Sequence, residues 1–150
     1  MILLVDNSKQ KIERLAAKYD FGGGQLLTPL TNYHNAGRSF AIDNGAFSTF
    51  NRQSFESLLV REKPNRDRCL FVVMPDVVGS ARRTLEAFEH WAGEVTNWPL
   101  ALACQDGIEN QPIPWRQIQA VFIGGSTDWK MSQSAKDVIK TAQLMGVHTH

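Results

Sequence analysis

The sequence predicts an α/β domain in which parallel strands alternate with helices. Three observations point that way: short apolar runs recur along the chain, each ends in a polar or glycine-bearing turn, and the stretch that follows has helical period. A chain of 150 residues with 43% hydrophobic content can bury one core and is short for two ordinary domains. A single domain spanning 1–150 is therefore expected.

Ile2–Val5 reads as the first strand. The helix after it, starting around Asp6, Asn7 and Ser8, carries Ile12, Leu15, Ala16 and Tyr19 on one side. Ser39–Ile42 is the second strand, and behind Asn51 a helix gathers Phe55, Leu58 and Leu59. Leu70–Met74 is the third strand. Ser80 then has the chemistry to accept an unpaired N–H at the start of a helix that aligns Leu85, Phe88 and Val95. Leu100–Cys104 and Val121–Ile123 follow as strands. The last helix turns Ala135, Val138, Ile139 and Ala142 inward, with Ser134 and Asp137 at capping-box spacing, and Val147–His150 is the terminal strand. About six strands are expected in all. Gly22–Gly24, Lys63–Arg68 and Gly107–Pro114 read as irregular, and the mixed charges of REKPNRDR suit a solvated loop.

The formal net charge of +1 announces no overall positive field, although a local basic patch could still hold a phosphate backbone. Cys69 and Cys104 sit in apolar runs and read as buried thiols rather than as a disulfide or a nucleophile. Met1 leads straight into a short strand without a basic leader or a membrane-length apolar stretch. A cytoplasmic location with no membrane contact is the expectation.

In parallel α/β architectures ligands bind beyond the C-terminal ends of the strands. Four strand ends carry polar or glycine motifs: AIDNGAFS, VVMPDVVG, LACQDG and VFIGGS. Asp43, Asp76, Gln105 and the pair Gly124 and Gly125 would thus fall at one rim. A carboxylate directly after an apolar run must be hydrogen-bonded, capped or put to use, since burying it unpaired costs several kcal/mol. Each aspartate alone could equally cap a helix or pin a turn. Together with an amide and two glycines they suit a flat heteroaromatic ring, with Phe47 or Met74 as a stacking surface. The GGS segment also suits a phosphate. Trp129 and Lys130 could touch a nucleic acid or simply form an exposed turn. His148 and His150 share one face of the last strand but lack a third ligand, so no metal is expected, nor any cofactor.

In order along the chain these motifs resemble those of the tRNA-guanine transglycosylase superfamily. DNGAFS resembles its DSGGFQ-type loop, PD its base-recognition aspartate, CQDG its VQGG segment and FIGGS its IGG turn. The match runs from Phe40 to the C-terminus and is nearest the short phage-type and bacterial DNA 7-deazaguanine transglycosylases. The resemblance implies a TIM-type (β/α) barrel, here an incomplete one. It implies a pentosyltransferase that exchanges guanine for a 7-deazaguanine base on nucleic acid through a covalent ribosyl-aspartate intermediate. By position, Asp43 would manage the proton, Phe47 would stack on the base, Asp76 and Gln105 would read its edge, and Gly124 and Gly125 would offer backbone contacts. No residue here matches the family's nucleophile, although Asp106 could substitute for it. With only two cysteines, the cysteine-rich zinc site of the tRNA enzymes is not present, which favours DNA over tRNA.

Three functions follow as expectations. The first is a transglycosylase-like enzyme, a homo-oligomer or joined by a partner chain that covers its open strand edges. The second is a non-catalytic module for a purine or 7-deazapurine base. The third is a small domain that holds a phosphorylated metabolite at Gly124–Ser126.

Overall fold

A computed structural model describes residues 2–6, 9–19, 22–32, 35 and 37–150. Asn7 and Ser8, expected at the first helix start, lie outside them. The chain divides into two compact units, Met1–Val72 and Val73–His150.

In the first unit, β1 (Ile2–Val5) leads to α1 (Lys9–Tyr19), β2 (Gly22–Leu27), β3 (Phe40–Ile42), α2 (Arg52–Glu62), a 3-10 turn over Lys63–Arg68 and β4 (Cys69–Val73). β1 pairs with β2, β2 with β3 and β3 with β4, all parallel. Phe40, Ile42, Phe55 and Phe71 are fully buried and form its core with Leu27 and Ile12. Asn51 caps α2 as its sequence position suggests: its Oδ1 accepts the Ser54 N–H at 2.8 Å.

β2 departs from expectation. Gly22–Gly24 is a regular strand, because its glycines pair in register with Ile2, Leu3 and Leu4 on one side while Gln25, Leu26 and Leu27 pair with β3 on the other. A Cβ on Gly24 would stand 2.5 Å from Leu4 Cδ2, so the missing side chain is what lets the strands close. With β2 the described residues hold seven strands. The buried face of α1 is also narrower than expected. Ile12 is buried and Leu15 and Ala16 half-buried, but Tyr19 is 60% exposed, with the Lys18 ammonium 4.8 Å from its ring centre.

In the second unit, α3 (Ala81–Glu94), β5 (Leu100–Cys104), a 3-10 turn over Ile108–Asn110, β6 (Ala120–Ile123), α4 (Thr127–Lys130), α5 (Gln133–Leu144) and β7 (His148–Thr149) follow in order. β5 pairs with β6 and β6 with β7, again parallel. Met74 joins the ladder by donating its N–H to the Ala101 carbonyl at 2.9 Å. Phe88, Leu102, Ile108 and Met74 fill the core. Ser80 caps α3 by accepting the Arg83 N–H. For α5 the cap is Ser132, whose Oγ accepts from Ala135, and not Ser134, which lies inside the helix. Both units are thus α/β with parallel strands. Among the described residues no helix is long and apolar enough to cross a membrane.

Candidate functional site

Three turns of the second unit bring four expected residues together. Asp76 follows β4 by way of Met74 and Pro75, Gln105 follows β5, and Gly124 and Gly125 follow β6. Gln105 is 4% exposed, and Asp76 is half-buried. The Gln105 Nε2 donates to Asp76 Oδ2 at 2.7 Å, and its Oε1 accepts the Gly79 N–H at 3.0 Å. The turn bearing Asp76 is pinned from α3 as well. Thr84 Oγ1 accepts the Val77 N–H at 3.0 Å and donates to the Val77 carbonyl at 3.2 Å, while the Ser80 N–H returns to the same carbonyl at 3.0 Å. Thr84 is only 1% exposed, so the anchor is an interior one.

The two glycines do different jobs. A Cβ on Gly124 would lie 3.1 Å from Gln105 Nε2 and 3.2 Å from the Cys104 carbonyl, so glycine there lets β6 lie against the amide. Its N–H bonds the Cys104 carbonyl at 3.1 Å and the Phe122 carbonyl at 3.0 Å. Gly125 sits at φ +73, and a Cβ on it would press 2.5 Å from Asp106 Oδ1 and 2.9 Å from the Trp129 ring.

The phosphate reading of GGS is overturned by Asp106. Its Oδ1 accepts the Ser126 N–H at 2.7 Å and its Oδ2 accepts the Ser126 hydroxyl at 2.6 Å, so an internal carboxylate already fills the would-be anion cradle. These bonds, first from the hydroxyl and then from the N–H, hold the Asp106 carboxyl below its ordinary value. Ser126 Oγ in turn accepts the Trp129 N–H at 3.2 Å, and the Trp129 indole donates to Glu109 at 3.0 Å. Trp129 is thus 7% exposed within α4 rather than part of an exposed turn. Met74, 1% exposed, is closed off as a stacking surface.

Asp43 and Phe47 belong to the first unit, on the loop after β3. The Asp43 N–H extends the ladder to the Leu27 carbonyl at 2.8 Å, and its side chain is half-buried. Asn44 organises the loop: it is 2% exposed and its Oδ1 accepts the Ala46 N–H at 2.7 Å. Phe47 emerges from that turn 93% exposed, which removes the core explanation for it.

Both thiols are free, and burial pushes each up to about 12. His150 lies 5.3 Å from the Phe122 ring, and burial, then the neighbouring His148, lowers its basicity. Among the described residues no group of three potential ligands could hold a metal ion. Sequence reasoning missed Gly79, Thr84 and Ser126 as the groups that hold the site residues; the only signal was that QDG and GGS close neighbouring strands. Scans of family models, curated proteins and solved structures return no match for this chain.

Proposed function

We propose that the chain recognises a purine or 7-deazapurine base through Asp76 and acts in base exchange of the transglycosylase type, guanine for a 7-deazaguanine base, on DNA rather than tRNA. The supporting observation is the Asp76–Gln105 pair at adjacent strand ends, a carboxylate held in place by a buried amide at the edge of solvent. A carboxylate can accept two N–H groups of a guanine edge, and such charge-assisted bonds are roughly twice as strong as neutral ones. Within the first unit, an exposed Phe47 on the turn that Asn44 braces offers a ring for stacking. A TIM-type barrel and an oligomer or partner chain at the open strand edges belong to the same reading.

Exchange requires a carboxylate to bond the sugar C1′ as the C1′–N9 bond breaks and guanine takes a proton from a general acid, and then the incoming base to return a ring N–H proton to that group as it displaces the carboxylate. Asp106 is a poor candidate, with both oxygens held by Ser126. That clamp favours a second reading, a base-binding module that performs no exchange by itself. Calorimetry with guanine and a 7-deazaguanine base, beside release of labelled guanine from DNA and tRNA, separates the two. Binding with exchange supports the enzyme, and binding without exchange supports the module. No binding by the chain, or full binding by Asp76→Ala, overturns both.

A further inference from the structure

Resting on the base-recognition reading for its consequence in binding, we infer that Gln105 is a positioning residue: it locks the Asp76 carboxylate in one orientation and does not itself meet the base.

The direction of the amide is settled by its partners. A backbone N–H can only donate, so the carboxamide end facing Gly79 is Oε1, and the end facing Asp76 is Nε2, which donates to an acceptor-only carboxylate. A glutamine with both ends committed inside the protein at 4% exposure has little left to offer a ligand, whereas Asp76 borders solvent. Flipping the amide would set oxygen against carboxylate and N–H against N–H, and the low dielectric of the interior makes both contacts costly.

Two further features hold the amide itself. Gly124 lets the end of β6 pack beside Nε2, where a Cβ would approach to 3.1 Å. The turn on the other side is tied to the buried Thr84. Gln105 thus joins three strand ends: it issues from β5, is flanked by β6, and grips both ends of the Asp76–Gly79 turn after β4. An acceptor oriented before the ligand arrives spares the ligand the cost of ordering it, and selectivity for a base edge depends on that preorganisation.

The test has a ligand-free and a ligand-bound arm. Three-bond couplings to the Asp76 β-protons report its rotamer; they are expected to show one rotamer in the wild type and averaging in Gln105→Met. Gln105→Leu, which also loses the donor to Asp76, does the same and serves if the Met variant fails to fold. Calorimetry with guanine and hypoxanthine, which lacks the exocyclic amine, is expected to show about a tenfold loss for guanine in either variant. The guanine preference falls to that of Asp76→Asn, and the Gln105 and Asp76 substitutions are not additive. A single Asp76 rotamer in both variants overturns the inference, as do additive losses with the preference intact. If the wild type binds neither base while the rotamers average, the positioning role stands and base recognition falls.

Discussion

Asp106 and Ser126, twenty residues apart in sequence, meet through two hydrogen bonds of 2.7 and 2.6 Å, so the turn after β5 is clasped to the turn after β6. The clasp lies beside Gln105 and Gly125 and sets the spacing of two strand ends. It also explains why a glycine-rich segment that resembles an anion cradle holds an internal carboxylate.

Removing the clasp is expected to destabilise the second unit. Ser126→Ala loses one charge-assisted bond and the α4 cap together, for about 1–2 kcal/mol by urea denaturation at pH 7. Because the folded Asp106 carboxyl titrates below its ordinary 3.8, it contributes stability above that pH and loses it as pH falls through the lower folded value. The gap between wild type and Asp106→Asn should therefore narrow on acidification, and a gap that widens below pH 4 contradicts the assignment.

Gly125→Ala is expected to be worse than either. It forces a side chain into the left-handed region at φ +73 and drives a Cβ against Asp106 and Trp129, which together cost about 2 kcal/mol or more. Trp129 fluorescence should report the displacement, and an unchanged emission spectrum with an unchanged denaturation midpoint would count against it.

The two thiols should resist a disulfide reagent at pH 8 in the folded protein and both react in denaturant, since burial holds them at about 12. Between the ordinary 9.0 and that value the folded state keeps protons that the unfolded chain releases. Stability is thus retained below pH 9.0 and declines as pH rises toward 12. Urea midpoints at pH 8 and pH 10.5 provide the comparison.

Phe47→Ala should leave the urea midpoint within about 0.5 kcal/mol of wild type, because the ring is 93% exposed. If the first unit stacks a base on this ring, the change should still weaken binding of single-stranded DNA by about 1–3 kcal/mol, the usual contribution of a stacked base. Lost stability with unaltered binding would return Phe47 to a structural role.

Ile2 and Leu3 on β1 are 47% and 46% exposed, an apolar strand surface of the kind that invites pairing with another chain. Sedimentation is expected to show self-association that the double change Ile2→Lys and Leu3→Lys reduces. A monomer at high micromolar concentration would remove the oligomer from the proposed function.

Much of the fold was legible in the residues alone. Apolar runs located β1, β4, β5 and β6 to within a residue or two, and Asn51 and Ser80 announced helix starts, because strand burial and N-capping depend on neighbours a few positions away. The strand-end motifs likewise placed Asp76, Gln105, Gly124 and Gly125 at neighbouring ends of the second unit. What the tertiary structure decided depends on partners remote in sequence. Gly22–Leu27 is a strand only because β1 and β3 flank it, Trp129 is buried because Glu109 receives its indole, and Asp106 is taken up by Ser126. The direction of the Gln105 amide, set by Asp76 and Gly79 up to 29 residues away, is of the same kind. Hydrogen-bond geometry between distant segments has no counterpart in local period or propensity, so composition and spacing locate such a site, and packing alone assigns each polar atom its partner.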